Sequence, residues 1–200
     1  MNRIAAFACI LLLGLASRGH AAAIIGKPAP PIELRDADGK TVRLDAFKGK
    51  YVVLEWVNFK CPFVGKHYGS GNMQRLQKKY TGEGVVWLSI CSSAPGKQGY
   101  VTGSEAKALE AERGAVPSSF LLDPKGRVGK SYGAKTTPHM FVIDPKGVVV
   151  YNGAIDDKPS TNQADVATAR NYLAAALDAS LSGKKVEIAA SQPYGCSVKY

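Results

Sequence analysis

Two runs set the architecture: "YVVLEWV" at residues 51–57 and "GVVWLSI" at residues 84–90. Each is apolar almost without interruption, rich in β-branched and aromatic side chains, and short for a helix. A strand with one wet face alternates in polarity. A near-continuous run instead reads as a strand buried on both faces, as in a parallel sheet covered by helices. Helical signals fill the gaps. Pro62 suits the first position of a helix, Gly65, Gly69 and Gly71 weaken that helix, and Met73, Leu76 and Tyr80 share one face of a second helix starting at Asn72. Ser104 reads as the cap of a helix running to about Arg113 and closed by Gly114. Upstream, two alternating runs around Asp38-Gly39 predict a β-hairpin. "SSFLLDPKGRV" and "HMFVIDPKGVVVY" each predict a strand followed by a tight Asp-Pro-Lys-Gly turn. From Asn162, the residues Val166, Ala169, Leu173, Ala176 and Leu177 mark an amphipathic helix ended by Gly183. The alternation of strand and helix predicts an α/β fold: a mixed, parallel-centred sheet with helices on both faces and an N-terminal β-hairpin.

The first residues read as an export signal. Arg3 is followed by the 13-residue apolar run Ile4–Ala16, and Ala21-Ala22-Ala23 offers a cleavage site. That run is shorter than the roughly 20 residues a spanning helix needs, and no other stretch is long and apolar enough to cross a bilayer. The expected organisation is a signal peptide at 1–23, removed together with Cys9, and one exported, periplasmic domain at 24–200 whose residues 184–200 form a tail. Losing Arg3 and Arg18 leaves 24 of the 26 basic residues against 16 acidic ones. These lysines are spread out, with no run of five or six. The excess therefore reads as a solvated basic surface, and nucleic acid is not expected as a partner.

Three cysteines remain: Cys61, Cys91 and Cys196. Disulfides persist outside the cytoplasm, and an odd number leaves one thiol over after any pairing. Open α/β sheets react at the carboxyl ends of their strands. Cys61 follows the first buried run and Cys91 the second, so neighbouring strands about 4.8 Å apart would bring the two close. A helix starting at Pro62 stabilises a thiolate at Cys61 through its free N–H groups and dipole, and Lys60 and Lys66 add positive charge. A depressed Cys61 pKa is the expectation. His67 and His139 raise a second possibility, since imidazole with thiolate suits copper or zinc. That makes a non-catalytic thiol or metal carrier the alternative to an enzyme, although neither a metal site nor a cofactor is assigned. His139 otherwise reads as a hydrogen-bonded strand residue, Tyr68 as an aromatic contact, Asp156-Asp157 as a turn, and Ser92-Ser93 as a loop without a nucleophile elbow.

Over roughly residues 25–180 the chain resembles the thioredoxin-like superfamily, and within it the exported redoxins of the AhpC/TSA group. "GKPAPPIELRDADGKTVRLDAFKGKYVVLEWV" is similar to the redoxin opening, and "KTTPHMFVIDPKGVVVYNGAID" to the segment where a Thr-Pro precedes the fourth strand. The resemblance implies a thioredoxin fold and a thiol oxidoreductase acting in thiol–disulfide exchange or peroxide reduction. It implies protein or small-molecule thiols and disulfides, or peroxide, as partners. It also implies a cis Thr137–Pro138 bond facing the active cysteine. Peroxiredoxins carry Pro-x-x-x-Thr-x-x-Cys, whereas this chain has Leu54 and Asn58 at the proline and threonine positions. Thioredoxins carry Trp-Cys-x-x-Cys, whereas here Val64 stands at the second cysteine. The chain is most similar to the peroxiredoxin-like subgroup with a single cysteine at the first position, which shares "NGAIDD" at 152–157 and a closing Gly195-Cys196-Ser197-Val198-Lys199. The partner of Cys61 would then be Cys196 from the tail or Cys91 from the adjacent strand end. Cys196 reads equally as a resolving thiol or as a static clasp worth about 2–4 kcal/mol, and Cys91 also reads as a small buried residue.

Overall fold

The computed structural model describes residues 23–200, so the expected signal segment, with Cys9, lies outside the described residues except for Ala23. Strands β3 (Val52–Trp56) and β4 (Val86–Cys91) pair in parallel from Val52 opposite Val86 to Trp56 opposite Ile90, and every residue of both is buried. The two apolar runs are therefore the centre of the sheet. β5 (Ser119–Leu122) continues the parallel set beyond β4. On the other side, β7 (His139–Ile143) pairs antiparallel with β3, and β8 (Val149–Gly153) pairs antiparallel with β7. The N-terminal hairpin, β1 (Glu33–Asp36) and β2 (Thr41–Arg43), closes the β5 edge and gives the order β2-β1-β5-β4-β3-β7-β8. Its turn forms because Asp36 Oδ1 accepts the N–H groups of Asp38 and Lys40. An aspartate there replaces the missing backbone partner.

Side chains alternate across the sheet, as the two-residue period of a strand requires. Val53, Trp87, Phe120 and Val142 face one layer, covered by α1 (Pro62–Gly69), α2 (Asn72–Gly82), α3 (Gly103–Arg113) and α5 (Tyr172–Leu181). Leu54, Trp56, Leu88 and Phe141 face the other, covered by α4 (Arg127–Tyr132) and the N-terminal segment from Ala23 to Leu34. No described helix is long and apolar enough to cross a membrane.

Two expectations need correction. Thr102, not Ser104, caps α3: its Oγ1 accepts the Glu105 N–H while the Glu105 carboxylate accepts the Thr102 N–H. A Thr-x-x-Glu pair satisfies two free donors at once, which a lone serine does not. The helix expected from Asn162 is interrupted. Residues Gln163–Ala167 make a 3-10 turn capped by Asn162, and α5 starts afresh after a second cap at Asn171. Leu173, Ala176 and Leu177 are buried, whereas Val166 and Ala169 are not. Both Asp-Pro-Lys-Gly segments form the tight turn expected, with the Gly126 and Gly147 N–H groups donating to the Asp123 and Asp144 carbonyls, but the aspartate side chains differ. Asp144 Oδ1 closes the β7–β8 hairpin by accepting from Lys146 and Val148. Asp123 turns inward, accepts from Gly129 N–H and Ser92 Oγ–H, and starts α4, a helix the sequence pattern did not reveal.

A second, two-stranded sheet completes the fold. β9 (Cys196–Ser197), from the tail, pairs antiparallel with β6 (Thr136–Thr137), which immediately precedes β7.

Candidate active site

Cys61 occupies the N-cap of α1 with an extended backbone, Pro62 takes the first helical position, and the Cys61 carbonyl accepts the Gly65 N–H at 2.9 Å. The thiol has no exposed surface. Its Sγ lies 3.0 Å from the Thr137 carbonyl oxygen, and the Thr137–Pro138 peptide is cis. Across the small sheet, Thr137 stands opposite Cys196. The structure therefore brings Cys61, Pro62, Thr137, Pro138 and Cys196 to one place, with all three described cysteines as free thiols. Cys91 is not part of that contact. Its Sγ donates to the Gly99 carbonyl at 3.2 Å, and it lines a small apolar pocket with Val57, Phe59, Val101 and Phe120. Lys60 is exposed at the rim of that pocket, and its N–H donates to Asn58 Oδ1.

Burial pushes the Cys61 thiol up, but hydrogen bonds outweigh it and hold the group below its ordinary value. They come from the Cys196 thiol, the Val64 and Cys196 backbone N–H groups and the Thr137 side chain. Val64 N–H is the helix-terminus donor that the sequence predicts. Thr137 Oγ1 is buried with no partner in the thiol form, and a thiolate at Cys61 supplies the acceptor it lacks. Cys196 moves the opposite way: burial and its hydrogen bond to Cys61 push it up to about 11. Burial also raises Cys91. Cys61 is thus the group that ionises first. We predict that thiolate absorbance, followed in a Cys91→Ala background, titrates with a first midpoint below the roughly 8.5 of a free cysteine. Cys196→Ala should move that midpoint upward. A midpoint unchanged by Cys196→Ala would show that the tail thiol does not stabilise the Cys61 thiolate.

The lysine contribution needs correction. Lys66 is fully buried and directed away from the thiol. Its Nζ lies 3.2 Å from Asp156 Oδ2, 2.6 Å from the Lys158 carbonyl and 3.2 Å from the Tyr194 hydroxyl. Asp156 is 1% exposed at its side chain, so the supposed turn carboxylate is the counter-ion of a buried cation. Tyr194 also meets His67, with 3.1 Å between the hydroxyl and Nε2, and Asn72 Nδ2 lies 2.9 Å from His67 Nδ1. Burial holds His67 neutral, with its pKa lowered to about 4. His139, the hydrogen-bonded strand residue expected, accepts the Lys135 N–H at Nδ1 and meets Asn152 Oδ1 at 2.8 Å. Among the described residues, no group of three or more His, Cys, Asp or Glu side chains is gathered as a metal would need.

Sequence reasoning also passed over Glu55, the one charge inside "YVVLEWV". It is buried beneath α1 and α2, where Trp87 Nε1, Ser89 Oγ, Gln77 Nε2 and the Tyr68 hydroxyl all donate to its carboxylate. Burial raises its pKa against the pull of those four donors. The signal was present in the run itself, since a glutamate inside an otherwise buried strand needs partners. Tyr194 gave no such signal.

A parallel-centred sheet, a cysteine at a helix N-cap and a cis-proline loop facing it define a thioredoxin-like redox fold. The chain belongs to the AhpC/TSA family, which it matches over residues 25–152. An uncharacterised conserved protein from Geobacillus kaustophilus shares 30% identity at a TM-score of 0.74, with 88% of this chain and 92% of that one covered. A candidate thiol:disulfide interchange protein, DsbE, from Chlorobium tepidum shares 25% identity at a TM-score of 0.55, with 78% and 99% covered. The thioredoxin domain of a thiol-disulfide oxidoreductase from Bacteroides vulgatus shares 20% identity at 0.53, with 74% and 98% covered. No curated protein matches the chain.

Proposed function

We propose that this oxidoreductase is an exported thiol–disulfide exchange enzyme in which Cys61 is the attacking thiol and Cys196 the resolving one. One observation carries the reading: the tail places Cys196 opposite Thr137, whose carbonyl oxygen lies 3.0 Å from the Cys61 sulfur. In the proposed cycle the Cys61 thiolate attacks a partner disulfide, forms a mixed disulfide and releases one partner thiolate. Cys196 then loses its proton, attacks the Cys61 sulfur and releases the second partner thiolate. Two protein thiols become one disulfide as one partner disulfide becomes two thiols, and the reverse sequence reduces the protein. Cys91, with its raised pKa and its bond to Gly99, stands outside this cycle. Residues 1–23 act as the export signal, 24–200 form the redoxin domain, and 184–200 are the tail that carries the second thiol. The basic start, the apolar run and the alanine cleavage site support export, as does a chemistry that needs an oxidising compartment. The Chlorobium protein's description as an interchange protein supports exchange with protein thiols. Membership of the AhpC/TSA family keeps peroxide as the competing oxidant.

The test is non-reducing peptide mapping of the purified protein after separate exposure to glutathione disulfide and to hydrogen peroxide. We expect a Cys61–Cys196 linkage with glutathione disulfide, and no insulin-reducing turnover in Cys61→Ser. Faster formation of the same linkage with peroxide would favour the peroxidase. A Cys61–Cys91 linkage, or a Cys61 that stays a thiol under both oxidants, would refute the assignment.

A further inference from the structure

Helix α1 carries Cys61 at its start and Lys66 and His67 in its last turn. Five residues of helix rise about 7.5 Å, and two residues of extended chain span about 7 Å. The tail matches that distance: Tyr194 meets Lys66 and His67, and Cys196, two residues on, pairs with Thr137, whose carbonyl lies 3.0 Å from Cys61 Sγ. Every hydrogen-bonding position of the Tyr194 hydroxyl is filled. It donates to Asp156 Oδ1 and accepts from Lys66 Nζ. Asn72 donates to Nδ1 of the neutral His67 ring, so Nε2 carries the proton and donates to the same phenol oxygen. The ring packs edge-on against Phe63 with centroids 5.9 Å apart, and Lys66 Nζ stands 5.3 Å from its centre. The tail is therefore pinned by charge-assisted bonds inside a buried ion pair, two residues short of the thiol.

We propose that Tyr194 is the positioning residue of the thiol pair: seated between Lys66, His67 and Asp156, it holds Cys196 at Cys61 before any disulfide forms. The inference rests on the Cys61–Cys196 reading given above. A docked tail has already lost its chain freedom, so closing the bond orders little more. A loose tail must be ordered by the bond itself. The anchor raises the effective concentration of Cys196. It thereby raises the equilibrium constant for oxidation of the two protein thiols by one glutathione disulfide, which yields one protein disulfide and two glutathione thiols.

The experiment equilibrates Tyr194→Phe and its parent, both in a Cys91→Ala background, in glutathione buffers of graded composition, with acid quenching and mass spectrometry. Thiolate titration of the same proteins is the second readout. Phenylalanine keeps the ring against Phe63 and removes only the hydroxyl. We expect an equilibrium constant at least tenfold lower and a higher Cys61 midpoint, because the Cys196 thiol leaves it. Asp156→Asn, which weakens the hold on the same hydroxyl, should move both readouts the same way. A Tyr194→Phe constant within twofold of the parent would overturn the positioning role. If the parent itself forms no Cys61–Cys196 disulfide, the pairing has failed, and the titration alone decides the positioning. An upward midpoint shift sustains it, and an unchanged midpoint rejects it.

Discussion

Gly195→Ala is expected to uncover Cys61. Gly195 has φ +139°, a conformation that side chains other than glycine's seldom adopt, and an added Cβ would overlap the Thr137 carbonyl oxygen and stand 2.8 Å from its carbon. Both obstacles are backbone, so no rotamer relieves them. The tail has to leave β6, taking Cys196 with it. Backbone strain of this kind costs about 1–3 kcal/mol, and tenfold per 1.4 kcal/mol makes that roughly 5- to 150-fold in the open population. The measurement is the rate of thiol labelling at Cys61 by a small alkylating reagent, read by peptide mass. A rise of tenfold or more is expected, while the unfolding midpoint stays close to that of the parent because β1–β5, β7 and β8 are untouched. An unchanged labelling rate would mean that the thiol owes its burial to the body of the domain and not to the tail.

The largest stability effect is expected at Trp56→Ala. Trp56 is wholly buried on the face opposite α1, with ring centroids 5.3 Å from Tyr132 and 5.2 Å from Phe141, and its Nε1 donates to Ser92 Oγ at 3.0 Å. Removing the indole leaves a cavity between β3 and α4 and an unpaired acceptor at Ser92. Such substitutions cost about 3–5 kcal/mol, which for a domain of this size is a fall of about 6–20 °C in Tm. Urea unfolding gives the free energy directly. A loss below about 1 kcal/mol would contradict the close packing of α4 on the sheet, since even smaller core deletions exceed it.

The sheet was legible because its central strands are continuous apolar runs, and periodicity reports burial directly. The position of Cys61 was legible for the same reason, with Pro62 marking the helix start and the family resemblance pointing to Thr137 and Pro138. What stayed hidden depends on contacts between distant segments. Lys66 looked like a charge beside the thiol because it is near in sequence, yet its partner Asp156 is ninety residues away. Helix α4 was missed because it spans only Arg127–Tyr132 and follows the same four residues that elsewhere close a hairpin. The choice between Cys91 and Cys196 was open because strand adjacency and tail length both allow a pairing. The structure sets Cys196 opposite Thr137 and Cys91 against the Gly99 carbonyl, contacts between segments that no local pattern reports.

With Cys61 as the attacking thiol proposed above, the pairing of the tail with β6 would also act as a filter on whatever approaches it. The outward edge of β6 is already occupied by a segment of the same chain, so an incoming molecule competes with an occupant whose local concentration never dilutes. Its apparent affinity is its intrinsic affinity scaled by the open fraction, so a tail displaced about one time in a hundred weakens binding about a hundredfold. A ligand that offers only a reactive sulfur bears that whole penalty. An extended peptide that replaces the hydrogen bonds of Cys196 and Ser197 on β6 recovers much of it. Under that proposal, selectivity at this site would be a contest between two strands for one short edge.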